Sequence, residues 1–267
     1  MTERVFPVAR AWRAPRTLAL LALLVAAAGC GSKQLGPPPG AAQPDKFLFD
    51  RGNEAVMKEQ WLNARTYFMQ IVDNYPQSPY RPDAKLGMGD SYLGEGSAES
   101  SVLAANEFRE FLQFYPTNVR ADYAQYKLAM SHFKQMRAPK RDQSETRDAL
   151  KEFDAFFQRY PNSPLTAEVK QNWRIARDRL SQASFRVGLT YYRQRWYPGA
   201  ISRYREVLTE DPGFTGRDAV YFYLAESLAR TDKNPEAIPY FERLIAEFNQ
   251  SEYLEDAKKR LQELKNQ

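Results

Sequence analysis

One pattern recurs five times along the chain and limits what the chain can fold into. Counted from an alanine, apolar or aromatic residues stand at offsets +4, +7, +8 and +11, and a proline stands at +12. These apolar offsets lie on one face of a helix with 3.6 residues per turn, so each set predicts an amphipathic helix. The sets are Ala64-Phe68-Ile71-Val72-Tyr75-Pro76, Ala104-Phe108-Phe111-Leu112-Tyr115-Pro116, Ala149-Phe153-Phe156-Phe157-Tyr160-Pro161, Ala200-Tyr204-Val207-Leu208-Asp211-Pro212 and Ala237-Phe241-Leu244-Ile245-Phe248-Asn249. The fourth set lacks only the aromatic residue at +11, and the fifth lacks only the proline.

A small residue precedes each set and marks a partner helix. Gly52, Gly188 and Ala225 stand twelve residues before the alanine of their sets, and Gly87 and Ala129 take this place after longer gaps. The order of small residue, alanine, aromatic residue and proline resembles the tetratricopeptide repeat (TPR), in which two antiparallel helices form one repeat. The small residues let the paired helices approach, and the aromatic residues fill the gaps between pairs.

The predicted fold is therefore all-α, with five TPR helix pairs, and the resemblance implies a right-handed solenoid. Residues 165–195 contain no proline and one glycine, which predicts a helix of about thirty residues that links repeats 3 and 4. Residues 251–265 predict a helix that caps the last pair. Ser78-Pro79 and Ser163-Pro164 each predict a helix start, with the serine hydroxyl as N-cap.

The N-terminus divides the chain into an export signal, a tether and the repeat domain. Residues 1–29 have a basic start and an eleven-residue apolar run, which is typical of a secretory signal and too short to span a bilayer. The run ends at Cys30, and this arrangement resembles the lipidation site of bacterial lipoproteins; the alternative is an ordinary signal peptide that contains a cysteine. Residues 30–44 form a Pro/Gly-rich tether, and residues 45–267 form the solenoid. Lipoproteins retained in the inner membrane usually carry Asp directly after the cysteine, whereas this chain carries Gly31. The resemblance therefore places the anchor in the outer membrane, facing the periplasm.

The composition excludes several classes of function. With one Cys and one His, the chain cannot form an internal disulfide or a Cys/His zinc cluster. We expect no metal, no cofactor and no catalytic residues, and we interpret His132 as structural. The signal contains four of the 38 basic and one of the 33 acidic residues, which leaves 34 basic and 32 acidic residues. This near balance does not favour nucleic acid as a partner.

Several segments resemble the BamD family, the TPR lipoproteins of the outer-membrane β-barrel assembly machinery. They are residues 61–80 (WLNARTYFMQIVDNYPQSPY), 160–164 (YPNSP), 177–180 (RDRL), 188–192 and 200–212. The resemblance implies a non-enzymatic, lipid-anchored scaffold that binds a POTRA domain of the barrel-forming subunit and helps recognise unfolded outer-membrane proteins. The alternative in the same class is another periplasmic TPR lipoprotein, either pilotin-like or a coordinator of cell-envelope division. Lytic transglycosylases also stack helices, but no residues remain here for a catalytic domain.

Two surfaces are candidate binding sites. The BamD family uses an arginine on the second helix of the fourth repeat for the POTRA contact, and Arg203 matches it in the resemblance, with Tyr191 on the paired helix a weaker candidate. The first helix of each TPR pair lines the concave groove, and counting from the small residues gives a groove with aromatic, Met and cationic side chains. Such a groove suits the C-terminal aromatic residue and carboxylate of barrel proteins; the alternative is that these side chains pack between helices. The predicted groove residues are Lys46, Phe49, Arg81, Met88, Tyr123, Tyr126 and Met130.

The longest polar insertion lies inside the third repeat. Residues 137–147 contain four Lys or Arg, with Asp142 and Glu145 between them. We interpret this segment as a solvated loop, and a partner contact is the alternative.

Overall fold

The computed structural model describes residues 36–266, and every regular element within them is an α-helix. None of the helices in this range is both long enough and apolar enough to cross a membrane. The predicted signal segment 1–29 and Cys30 lie outside the described residues. The helices are α1 (Pro44–Met57), α2 (Trp61–Asn74), α3 (Arg81–Glu95), α4 (Ala98–Phe114), α5 (Ala121–Phe133), α6 (Ser144–Arg159), α7 (Thr166–Arg193), α8 (Tyr197–Glu210), α9 (Arg217–Ala229), α10 (Asn234–Glu247) and α11 (Leu254–Lys265).

The helices form five consecutive pairs, α1/α2 to α9/α10, and α11 packs against α10. Each pair also contacts the next, because α2 packs on α3, α4 on α5, and so on along the chain. The first helices of neighbouring pairs touch as well, from α1 with α3 to α7 with α9. Contacts confined to chain neighbours in this way define a solenoid, so the predicted all-α TPR solenoid is confirmed.

The aromatic residue at offset +4 of each set is fully buried, as the pattern predicts. Phe68 lies between two glycines on different helices: a Cβ on Gly52 of α1 or on Gly87 of α3 would lie 2.4 or 2.5 Å from opposite edges of its ring. Gly87 therefore packs on the preceding pair, and Gly89, which is 2.7 Å from Phe108 by the same measure, faces the ring of its own pair. The helix α3 supplies both glycines because it contacts one aromatic ring on each side. The five buried rings are Phe68, Phe108, Phe153, Tyr204 and Phe241.

The predicted serine caps have a different role. Helix α3 begins at Arg81 and α7 at Thr166, and neither has a side-chain cap. Instead, Ser78 Oγ donates to Asp45 Oδ2 at 2.7 Å, and Ser163 Oγ donates to Asp122 Oδ2 at 2.6 Å. Each serine thus joins the turn that follows a pair to the first turn of that same pair.

The same tie recurs throughout the array with other donors. Ser251 Oγ donates to Asp218 at 2.7 Å in the last pair. Arg120 donates to Asp83 at 3.0 Å in the second pair, and the amide N–H of Thr215 donates to Asp178 at 3.1 Å in the fourth. Asp178 lies in the middle of α7, which shows that the fourth repeat begins there rather than at the helix start.

The helix α7 spans 28 residues, about 42 Å, and confirms the predicted linking helix. Its first half packs with Phe153 and Phe156 in the core of the third pair. Its second half, from Phe185 onward, packs with α8 and the rest of the C-terminal core. One rigid helix is therefore shared by two separate cores.

A buried carboxylate fixes the middle of α7 to α8. Asp211, which is 4% exposed, occupies the offset where the other sets carry an aromatic residue. Arg174 Nη1 donates to its Oδ1 at 2.9 Å and Ser181 Oγ to its Oδ2 at 2.5 Å. Burial raises the pKa of Asp211, but the hydrogen bonds from Arg174 and Ser181 outweigh it and hold the pKa below its ordinary value. At this offset, a buried carboxylate bonded to two polar side chains of α7 therefore stands in place of the aromatic residue.

Candidate partner-binding surfaces

The second half of α7 and the start of α8 present an exposed aromatic side chain. Trp196, in the turn between the two helices, is 54% exposed. Its indole is in edge contact with the ring of Tyr191, with centroids 4.6 Å apart, and it covers Gly199, where a Cβ would lie 2.5 Å from the indole. Contacts on both sides hold the ring in place, so its exposed face has a fixed orientation.

The backbone of this turn explains why the indole lies there. Arg195 adopts a left-handed conformation, with φ of 61°, and the Trp196 amide N–H donates to the Tyr191 carbonyl at 2.9 Å. The turns of the first and fifth pairs have the same geometry, with Gln60 and Lys233 at the equivalent position. Only the fourth pair of these three therefore presents an aromatic residue at this point.

The structure brings both predicted partner residues to this surface. Arg203 on α8 is half-exposed, and its Nη1 donates to Glu206 Oε2 at 2.7 Å. The hydrogen bond and charge of Glu206 raise the pKa of Arg203, and Tyr191 adds a smaller effect in the same direction. Tyr191, Trp196 and Arg203 thus form one cluster, which we call the α7–α8 patch. Sequence reasoning missed Trp196, although an aromatic residue after Arg195, where the other short turns are polar, is a usable signal.

The predicted groove residues lie on α1, α3 and α5, which contact one another in that order. Met88 and Tyr126 are each 6% exposed and therefore belong to the packing between helices. Phe49 stacks on Tyr80, with ring centroids 5.0 Å apart. The side chains of Phe49 and Met130 are each half-buried. The face that remains accessible on these helices is narrower than the sequence predicts.

The polar atoms of the same set bridge neighbouring helices. Tyr123 Oη donates to the Asp90 carboxylate at 2.8 Å, and Tyr126 Oη donates to Glu168 at 2.6 Å. Burial raises the pKa of both tyrosines, and the carboxylates add to this effect. Arg81 Nε donates to the carbonyl of Val72 at 3.1 Å. Of the two predicted cations, only Lys46 lies exposed, and it pairs with Asp50 at 2.7 Å on its own helix.

His132 connects the two helices of the third pair. Its Nδ1 lies 2.9 Å from Glu145 Oε2, and both side chains are partly buried. The carboxylate of Asp148, which is exposed, lies near enough that one ligand atom from each group falls within 4.8 Å of the others. The contact with Glu145 accounts for the position of the His132 ring between the two helices.

The fold and the paired-helix register define a TPR protein with an extended linking helix. A tetratricopeptide-repeat model matches residues 219–251, and the model of the family described as outer membrane lipoprotein (YfiO) matches residues 41–228. The chain belongs to this outer membrane lipoprotein family, which confirms the BamD-type resemblance.

Curated relatives of the chain include several proteins named outer membrane protein assembly factor BamD. The protein from Caulobacter vibrioides is 27% identical over 83% of this chain and 72% of its own length. Those from Xylella fastidiosa (strain 9a5c) and Vibrio cholerae are 24% and 23% identical over 72% of this chain, and over 68% and 81% of their own lengths.

Solved structures similar to the chain include other TPR proteins. The TPR2AB domain of yeast Sti1 in complex with pHSP90 has a TM-score of 0.46 at 12% identity, covering 78% of this chain and 79% of its own. The thermophilic TPR protein TTC0263 of Thermus thermophilus has a TM-score of 0.35 at 13% identity, covering 84% and 100%.

Proposed function

We propose that this chain is a non-enzymatic scaffold for the assembly of outer-membrane β-barrel proteins, and that its α7–α8 patch binds a POTRA domain of the barrel-forming subunit. The observation that carries the proposal is the exposed Trp196, held between Tyr191 and Gly199 beside Arg203. Trp, Tyr and Arg are the side chains that contribute most binding energy at protein interfaces. The chain's family and the names of its relatives support the role in assembly.

The test is co-purification of the barrel-forming subunit with the lipidated protein from cell envelopes. Arg203→Glu places a negative charge where the guanidinium would meet a carboxylate, and Trp196→Ala removes the aromatic ring. We expect each change to lower recovery of the barrel subunit at least fivefold, with unchanged helical content by circular dichroism. Arg243→Glu, an exposed arginine on α10, is the matched control and should leave recovery unchanged. Full recovery of the barrel subunit with both patch variants would refute the proposed role of the α7–α8 patch in binding it.

The scaffold is anchored, in this proposal, through lipid at Cys30 to the periplasmic face of the outer membrane. A single acyl chain binds a bilayer only marginally, whereas the three chains of a mature bacterial lipoprotein hold it stably. Cys30→Ser should therefore leave an uncleaved precursor or release the domain from the outer-membrane fraction without unfolding it. Fractionation and electrophoretic mobility identical to the unmodified protein would contradict the anchor.

Incoming barrel proteins are proposed to contact the accessible face of α1, α3 and α5. Phe49, Tyr123 and Met130 are half-buried there, so their exposed edges offer apolar contact, with Lys46 nearby for a terminal carboxylate. A synthetic C-terminal segment of a β-barrel protein should bind the chain, and amidation of its carboxylate or Phe49→Ala should weaken binding. Phe114→Ala, on the exposed surface of α4, is the control. Binding that is indifferent to both changes would refute this site.

A further inference from the structure

A cleft of about 550 Å³ lies between the turn that precedes α6 and the second half of α7. Its two walls are two departures from a regular TPR array: the enlarged turn at residues 137–147 and the linking helix α7. Leu180, Ala183 and Val187 form an apolar floor, and Val187 is 41% exposed. The cleft therefore lies where these two departures meet.

Basic side chains surround this floor, and no carboxylate from residues 36–266 lines the cleft. Among the described residues, none of these basic side chains forms an ion pair within 4 Å, although most Lys and Arg elsewhere on the solenoid surface do so or donate hydrogen bonds. A concentration of cations in a recess that no carboxylate lines raises the electrostatic potential there and favours an anionic ligand. The basic residues are Lys140, Arg141, Arg147, Arg186 and Arg193.

The acidic residues of the same turn are used elsewhere. Asp142 Oδ1 accepts a hydrogen bond from the Ser144 amide at 3.0 Å, and this bond holds the pKa of Asp142 below its ordinary value. Glu145 accepts from His132, and both carboxylates line a different cavity, beside Lys134. Neither carboxylate lines the cleft, although the charge of Arg147 also contributes to the lowered pKa of Asp142.

Internal hydrogen bonds fix the shape of the turn. The buried Gln143 donates from Nε2 to the carbonyls of Ala138 and Arg141 at 3.0 and 2.9 Å, and its Oε1 accepts from Thr146 Oγ1 at 2.9 Å. Arg179 of α7 donates to the Arg137 carbonyl at 2.8 Å and ties the turn to the opposite wall. The cleft is therefore a built feature of the fold, although the cations of the turn are exposed to solvent.

We propose that this cleft binds an acidic, partly apolar peptide segment of a partner protein. Arg186 and Arg193 are two helical turns apart, about 10.5 Å along α7, and so offer charge along a groove rather than at one point. An anionic bilayer is planar and contacts protruding side chains, whereas these cations surround a recess with an apolar floor. A peptide supplies both carboxylates and apolar side chains, and its site here uses different residues from the α7–α8 patch.

The test measures binding of a fluorescent eight-residue peptide of alternating Glu and Leu to the full chain in detergent, with a Gln/Leu peptide as the uncharged reference. We expect Arg186→Glu with Arg193→Glu to weaken binding of the acidic peptide at least tenfold. The matched control reverses two exposed cations outside the cleft, Lys170→Glu with Lys259→Glu, and should change binding less than threefold. Circular dichroism of both double variants checks that each remains folded, and we expect unchanged helical content.

Three outcomes would overturn the proposal. The acidic peptide binds no better than the Gln/Leu peptide, or the two double variants weaken binding equally, which would reduce the effect to net charge. The third outcome comes from competition with soluble dihexanoyl phosphatidylglycerol, used below its critical micelle concentration. In that outcome, the lipid displaces the bound peptide at a lower concentration than the unlabelled peptide needs. That result would assign the cleft to a lipid headgroup.

Discussion

The two halves of the solenoid are stabilised in different ways. From α1 to the first half of α7, buried residues form three separate clusters of seven or eight, and polar pairs such as Tyr123–Asp90 and Tyr126–Glu168 bridge the first helices of neighbouring repeats. From Phe185 onward, sixteen buried residues form one cluster.

In the C-terminal half, aromatic rings bridge the helices alongside a polar pair, which the buried Glu226 of α9 forms with Arg260 of α11. Tyr223 of α9 contacts Tyr192 of α7 and Tyr253 beside α11, with centroids 5.1 and 5.8 Å apart. Hydrogen bonds are directional and depend on the charge of each partner, whereas aromatic packing depends mainly on buried area. Because its buried residues form three small clusters rather than one large cluster, we infer that the N-terminal half opens locally more readily, while the C-terminal half unfolds as one unit.

The largest expected effect tests this difference in cooperativity. Phe68→Ala and Phe241→Ala each remove a fully buried ring and should cost about 3–5 kcal/mol of local stability. By hydrogen exchange, we expect Phe68→Ala to expose amides of α1–α3 and leave α8–α11 protected. Phe241→Ala should lower protection throughout α8–α11. Phe114→Ala, where the ring is 65% exposed, is the control and should change protection little. Equal spread of exchange in both buried variants would contradict separate clusters in the N-terminal half.

The link between the halves is the next test. Asp211→Ala removes the carboxylate that Arg174 and Ser181 share and leaves the guanidinium without its buried partner. Removing one member of a buried ion pair is strongly destabilising, and since Arg174 is partly exposed we expect about 3 kcal/mol from urea denaturation. Asp73→Ala, at an exposed position near the end of α2, should have little effect. Unchanged stability would show that the Asp211 carboxylate contributes nothing to holding α7 against α8.

Opposite pKa shifts in the two halves give a smaller and sharper test. Burial raises the pKa of Asp90, and the charge of Lys127 and the hydrogen bond from Tyr123 offset only part of this rise. The pKa of Asp211, in contrast, is held below its ordinary value. A lowered folded pKa gives stability above the unfolded pKa, near 3.9, that is lost as pH falls through the folded value. A raised folded pKa gives stability below the unfolded pKa that is lost as pH rises through the folded value.

The asparagine variants separate these two contributions. As pH falls from 7 to 3, the destabilisation caused by Asp211→Asn should shrink, because the protein also loses the benefit of its ionised Asp211. Over the same range the destabilisation caused by Asp90→Asn should grow, because protonation relieves the buried Asp90 of the unmodified protein. Urea denaturation at several pH values measures both slopes, and slopes of the same sign would refute the contrast.

The smallest expected effect concerns the ties that both halves share. Ser163→Ala removes the bond to Asp122, and Ser251→Ala removes the equivalent bond to Asp218. Each is a partly buried hydrogen bond to a carboxylate and should contribute about 1 kcal/mol. A markedly larger loss at one site, measured by urea denaturation, would show that the repeats do not use this tie equivalently.

The sequence by itself determined the helices and the buried rings. The offsets that predict an amphipathic helix are local, since they depend only on the 3.6-residue period, and the five rings they select are all fully buried. The absence of Pro likewise predicts that α7 is a single helix, as the structure shows. The family resemblance placed Arg203 and Tyr191 on one surface, and the two side chains interact in the structure.

Tertiary structure decided what the remaining side chains contact. Gly89 rather than Gly87 faces Phe108, Ser78 bonds to Asp45 instead of capping a helix, and Tyr126 turns its hydroxyl to Glu168. In each case the partner lies on another helix, and no periodicity within one helix specifies the rotation and spacing between two.

The exposure of Trp196 and the basic cleft also depend on how the helices pack against one another. The cleft needs cations from residues 140–147 and 186–193 on facing walls, and their proximity depends on how α6 and α7 pack. Local period sets which face of a helix is apolar, whereas contacts between residues tens of positions apart set which polar groups remain free to bind a partner.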